Sequence, residues 1–170
     1  MKVKIKKLTK GVPTPYKAHP SDFCYDCVAV SEEEIAPNVW KYGLGIAFQI
    51  ERDTETFVTS TCYHGGKKMS HHTKMDFSRS PITLSIDARP RSSVWKTGMV
   101  LSNCEGTIDE NYIGEVSAVF YHLLPNMPRY KVGEKVCQIK LGFSLPMEFV
   151  EVDELNETDR GANGYGSSGK

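Results

Sequence analysis

A chain of 170 residues suits one domain, and 39% hydrophobic with 25% charged residues is ordinary for a globular protein. Basic and acidic residues number 21 each, so the formal net charge is zero and argues against a general nucleic-acid or membrane-surface binder. No apolar run approaches the roughly 18 residues that cross a bilayer, and the basic MKVKIKKLTK is followed by no apolar signal region. The five cysteines are odd in number and scattered, which points to a reduced, cytoplasmic protein.

Along the chain, KVKIK alternates polar and apolar residues. CYDCVAV reads as a strand, so its C-x-x-C lacks the helix N-terminus of a redox motif and the second pair of a zinc site. SEEEIAPNVW is expected to form one helical turn ended by Pro37. YGLGIAFQI, TFVTSTCY, PITLSIDA, GEVSAVFYHL, EKVCQIKLGF and MEFVEV are short, rich in β-branched or aromatic residues, and punctuated by Gly, Pro, Asn and Asp. Many short strands with turns between them predict an all-β sandwich, jelly roll or barrel. No long helical stripe and no internal repeat is present. Residues 63–80, YHGGKKMSHHTKMDFSRS, are polar and read as a long loop or hairpin tip. There Cys62, His64, His71 and His72 match no usual zinc spacing, and an exposed loop or partner-protein surface is the expectation. Residues 153–170 turn acidic and then Gly- and Ser-rich, too poor in apolar residues to order in isolation.

The last stretch, RGANGYGSSGK, loosely matches G-x-x-x-x-G-K. A P-loop requires a strand before it, a helix after it, and Ser or Thr following the Lys. That context is missing at Lys170. What remains is Arg160, the hydroxyls of Ser167 and Ser168, and unobstructed backbone N–H groups that suit an anion.

Four other stretches belong with it. SDFCYDCVAV carries Asp22 and Asp26. DARPRSSVW carries Arg91, Ser92 and Ser93. SNCEGTIDENYIGEV carries Asn103, Gly106, Ile108, Asp109 and Tyr112. VGEKVCQIKLGF carries Gln138. In this order, with RGANGYGSSGK last, they resemble the five motifs of the trimeric deoxyuridine triphosphatase (dUTPase) family over about residues 22–169. Cys24 stands where that family usually has Gly, Tyr165 replaces its usual Phe, and residues 52–80 look like an insertion.

The resemblance implies a jelly-roll-like β-barrel of the dUTPase β-clip type, over residues 1–152 with an inserted loop at about 52–80. A flexible lid would follow at 153–170. It implies a homotrimer with active sites shared between subunits, and Mg²⁺-assisted hydrolysis of dUTP to dUMP and pyrophosphate, which limits uracil in DNA and supplies dUMP for dTMP synthesis. The chemistry needs a group to take the proton of an attacking water, and Asp109 matches the family aspartate that does so. Asp26 matches the carboxylate that holds Mg²⁺ through water. Arg91, Ser92 and Ser93 match phosphate contacts, Ser92 near the α–β bridging oxygen, and Gln138 a further phosphate-side donor. Asn103, with Gly106 and Ile108 beside it, matches the uracil pocket, expected as a hairpin, and Tyr112 the ring under the deoxyribose that refuses a 2′-OH. Arg160 would reach the γ-phosphate. Tyr165 would stack on uracil, with Gly166, Ser167 and Ser168 closing over the phosphates.

Each residue also has an ordinary reading. Asp109 alone would be a turn residue, Arg91 and Ser92 a surface turn after Pro90, and Tyr112 and Tyr165 packing residues. Gln138 breaks an apolar strand and needs a partner. Two other functions use the same framework: a dCTP deaminase-type relative, or a trimeric barrel that binds a protein through the 52–80 loop.

Overall fold

The computed structural model describes residues 2–52, 56–64, 67–75 and 81–163. The strands in chain order are β1 (Lys2–Lys7), β2 (Tyr25–Val28), β3 (Ser31–Ala36), β4 (Val39–Gly43), β5 (Ile46–Glu51), β6 (Thr56–His64), β7 (Lys67–Met75), β8 (Thr83–Pro90), β9 (Met99–Leu101), β10 (Gly106–Asp109), β11 (Ser117–His122) and β12 (Lys135–Ser144). One 3₁₀ turn, Val94–Thr97, lies between β8 and β9. No helix among the described residues is long and apolar enough to cross a membrane.

Two four-stranded antiparallel sheets, ordered β10-β8-β12-β2 and β3-β4-β11-β9, share one core, with β1 paired to β5 beside them. The result is an all-β, jelly-roll-like barrel. Strand alternation builds the core directly: in β11, Ala118 and Phe120 turn inward while their neighbours do not. Tyr42 of β4 and Phe120 are wholly buried, and with Tyr130 they form an edge-to-face cluster with centroids 5.5–6.2 Å apart. The Tyr42 hydroxyl donates to the Tyr130 carbonyl at 2.8 Å, which satisfies the polar end of that ring. Each such ring contributes roughly 1.5–3 kcal/mol by burial.

Three expectations are corrected. SEEEIA is not a helical turn but β3, paired with β4 across Pro37 and Asn38. Asn38 has φ of +59°, so the pair has the Pro-then-positive-φ pattern of a type II turn. Pairing with β4 overrides the helix propensity of the glutamates. YGLGIAFQI is two strands, β4 and β5, interrupted at Leu44 and Gly45. MEFVEV forms no strand: residues 145–152 pair with no strand among the described residues, and Met147 and Phe149 stand 75% and 89% exposed.

The 52–80 insertion is mostly a hairpin, β6 with β7, in a sheet of its own. It is anchored at its base. Arg52 donates through Nε and Nη2 to both carboxylate oxygens of Glu110, at 2.6 Å each, and through Nη2 to the Ile82 carbonyl at 2.6 Å. The two ends of the insertion are thereby tied to each other and to the loop after β10.

Candidate active site

Asp26, Arg91 and Gln138 converge across three neighbouring strands. Register places Gln138 of β12 opposite Asp26 of β2 on one side and Arg89 of β8 on the other. Pro90 ends β8, and the turn Arg91–Ser93 leads into the 3₁₀ turn, with Val94 N donating to Arg91 O at 3.0 Å. Arg91 Nε donates to Asp26 Oδ1 at 2.9 Å, and its Nη1 reaches Ser93 Oγ at 3.3 Å. Gln138 Nε2 donates to the Pro90 carbonyl at 3.2 Å. The partner that a polar residue in this strand requires is therefore the backbone just before Arg91. Ser92 is exposed. Asp22, Cys24, Asp26, Arg89, Arg91 and Gln138 line a cavity of about 460 Å³.

Burial pushes the Asp26 carboxyl up, but hydrogen bonds and charge from Lys135 and Arg91 outweigh it and hold the group below the ordinary carboxylate range. Lys135 Nζ lies 2.9 Å from Asp26 Oδ2. Neither Lys135 nor this ion pair was evident in the sequence, where a lysine opening a strand reads as a solvated end. The only available signal was its place between GE and VCQ in the motif that holds Gln138.

Asn103, Gly106, Ile108, Asp109 and Tyr112 lie along β10 and the turns at its two ends. Asn103 sits in the turn between β9 and β10, which joins the two sheets and is therefore a corner, not the expected hairpin. A Cβ on Gly106 would lie 3.3 Å from Asn103 Nδ2 and 3.5 Å from Ala88 Cβ, so glycine here lets the amide lie close to the strand. Ile108 packs against the core, while Asp109, at the end of β10, is exposed. Ile108, Asp109, Tyr112 and Glu115 help line a cavity of about 230 Å³. Tyr112 donates its hydroxyl to the Glu115 carbonyl at 3.1 Å, and its ring lies over Gly114. Gly114 is a second residue that the sequence reading missed.

The two clusters are apart within one chain, and the two cavities share no lining residue. Asp109 pairs with Ser85 of β8, six residues before Arg91. At about 3.3 Å per residue this is roughly 20 Å of strand. Arg160 lies in an exposed turn of its own, its Nε donating to Asn163 O at 3.2 Å. Tyr165, Gly166, Ser167 and Ser168 lie outside the described residues. Among the described residues no group of three or more His, Cys, Asp or Glu is placed to hold a metal ion.

A family model for dUTPase matches residues 72–169. This chain belongs to the dUTPase family. It is 30% identical to the deoxyuridine 5'-triphosphate nucleotidohydrolase of Clostridium novyi (strain NT), over 99% of both chains. Among solved structures it is similar to the dUTPase of Staphylococcus bacteriophage 80alpha with dUPNHPP, with a TM-score of 0.68, 18% identity and 99% of each chain covered. A dUTPase of phage phi11 of S. aureus, in which a structural Mg(II) ion is coordinated, matches with a TM-score of 0.60, 14% identity, 92% of this chain and all of that one. The described residues that match dUTPase motifs thus fall into two separated clusters, with Arg160 in a turn of its own.

Proposed function

We propose that this chain hydrolyses dUTP to dUMP and pyrophosphate by attack of water on the α-phosphorus. The observation that carries the reading is the phosphate-side cluster, where Asp26, Gln138 and the Arg91 turn meet around one cavity in a chain of this family. Arg91 contributes a planar donor edge suited to an oxyanion, and the exposed Ser92 hydroxyl is free to meet the bridging oxygen on which charge develops. Gln138 acts in part by fixing the backbone ahead of Arg91. Asp109 takes the proton of the attacking water and orients the sugar, and its exposure suits a group that receives substrate from outside its own chain. Asn103 reads uracil, and Tyr112 closes the space a 2′-OH would need.

The roughly 20 Å of strand between the half-sites supports a site completed between copies, and with it a homotrimer. The tail from Arg160 onward serves as a lid over a neighbour's nucleotide. Residues 1–152 form the barrel with its insertion, and 153–170 the lid. A cytoplasmic location, among free nucleotides, belongs to the same reading.

Asp26 fits a hydrated Mg²⁺: it is a carboxylate held ionised, at the wall of a cavity with room for waters between it and the ion. When bound, Mg²⁺ would neutralise and coil the triphosphate. Because Arg91 and Lys135 already balance Asp26, the ion is expected to enter with the nucleotide.

The test is incubation with Mg²⁺ and, separately, dUTP, dCTP, dTTP or UTP, following products by chromatography. dUMP and pyrophosphate from dUTP alone are expected, with Asp109→Asn slowing turnover by about 10²–10⁴-fold. Deoxyuridine nucleotides from dCTP would move the chain to the deaminase branch. No turnover by the folded protein would overturn the reading.

A further inference from the structure

An arginine beside a carboxylate ordinarily closes a two-bond fork, with both N···O distances near 2.7–2.9 Å. Arg91 and Asp26 close it unevenly, with one short bond and one long one. Nε to Oδ1 is 2.9 Å, but Nη2 to Oδ2 is 3.5 Å. Oδ2 is instead held by Lys135 Nζ at 2.9 Å. Lys135 is itself held: its ammonium lies 4.6 Å from the centroid of the Tyr16 ring. Tyr16 is fastened to the same place by a two-way backbone bridge, Asp26 N to Tyr16 O at 2.7 Å and Tyr16 N to Asp26 O at 3.3 Å. Three separate segments, before β2, after β8 and at the start of β12, thus meet at Asp26, the first on its backbone and the other two on its carboxylate.

We infer that Lys135 is a positioning residue, which keeps the Arg91 guanidinium available to phosphate by occupying the Asp26 oxygen that would otherwise complete the fork, and that Tyr16 holds Lys135 in that place. The inference rests on the dUTP reading of the site. Phosphate and Asp26 compete for the same guanidinium. With Lys135 on Oδ2, Arg91 gives Asp26 one good bond and has nitrogen donors left over. Without Lys135, Asp26 lacks half its neutralising charge, and the nearest cation able to supply it is Arg91. The lysine also keeps Asp26 from being bare when Arg91 turns to substrate, so the carboxylate remains oriented toward the cavity where a hydrated cation would sit.

The measurement is calorimetric affinity for a non-hydrolysable imido analogue of dUTP, in Mg²⁺ and in EDTA, alongside kcat, KM and thermal stability. Lys135→Met is expected to weaken analogue binding in Mg²⁺ by about 10–100-fold, the usual scale for loss of a supporting partner. The defect should appear in KM, with kcat within about threefold, and Lys135→Arg should restore it. Tyr16→Leu, which leaves the ion pair but removes the ring, should give a smaller change in the same direction. If Lys135→Met fails to fold, Lys135→Gln replaces it, with the same expectation. Unchanged analogue affinity in a folded variant overturns the inference, as does a loss confined to thermal stability. A wild-type protein that binds no dUTP analogue overturns the dUTP reading and this inference with it; wild-type binding with an indifferent variant overturns this inference alone.

Discussion

Tyr112 can lie flat on its own loop because Gly114 has no side chain. A methyl group at Gly114 would lie 2.5 Å from the Tyr112 hydroxyl oxygen and 2.6 Å from Cζ, inside contact distance, so the ring would have to lift. Gly114→Ala is therefore expected to break the Tyr112 hydrogen bond to Glu115 O and to lower kcat/KM for dUTP by about tenfold, the worth of roughly 1.4 kcal/mol. It should also narrow the ratio of dUTP to UTP turnover, because the ring would no longer fill the space beside the sugar. Steady-state kinetics with both nucleotides checks this; an unchanged ratio would mean that the ring does not set sugar choice. Residues of this kind divide sharply in how legible they are. Asp109, Arg91 and Gln138 could be picked out as candidates because each sits in a short motif whose neighbours are also distinctive. Lys135, Tyr16 and Gly114 could not. Their roles arise from what lies across a strand or under a ring, and that information is not local in the chain.

Elements follow the same rule. In the two main sheets β2, β4, β8, β11 and β12 were legible from alternation and composition, whereas β9 and β10, three and four residues long, were not. β3 was not, because its glutamates favour helix and only pairing with β4 decides otherwise. The segment 145–152 was misread in the opposite sense, since its pattern suits a strand but no strand among the described residues pairs with it. The β6–β7 hairpin pairs only with itself, and Arg52 joins its base to Ile82 and Glu110. Replacing residues 54–80 with a short Gly-Asn turn should therefore leave the barrel folded and dUTP turnover within about threefold of wild type, a change below ~1 kcal/mol. Circular dichroism and kinetics on the shortened protein decide it. Arg52→Ala should be more harmful than the excision, because it leaves the Glu110 carboxylate without its arginine beside Asp109. That carboxyl is now held low, chiefly by the Arg52 hydrogen bonds.

At the scale of the whole molecule, a single copy exposes what a folded protein ordinarily covers. Phe143, Leu145, Met147, Phe149 and Val150 lie 62–89% exposed along one terminal stretch. Val3, Ile5, Phe48, Ile86, Ile139 and Leu141 line an apolar cavity of about 370 Å³ elsewhere on the barrel. An assembly that covers such surfaces has a stability tied to concentration. Diluting the protein a hundredfold should lower Tm by several degrees, because it removes about RT ln 100, or ~2.7 kcal/mol, of the stabilisation from each binding step. Scanning calorimetry with sedimentation checks this; a Tm indifferent to dilution and a single-chain mass would contradict the shared site. None of this was legible as periodicity. Assembly entered the sequence reading only through the family motifs, because one chain's pattern does not say which of its apolar residues face a copy of itself.

The Arg52 junction bears on how such a chain changes over generations. It closes the hairpin's mouth on Ile82 and Glu110, which lie outside the hairpin itself. Lineages can then swap, lengthen or discard that cassette while inheriting the nucleotide chemistry intact. Selection for what the cassette touches and selection for what the barrel cleaves act on separable stretches, so the two are free to diverge at different rates.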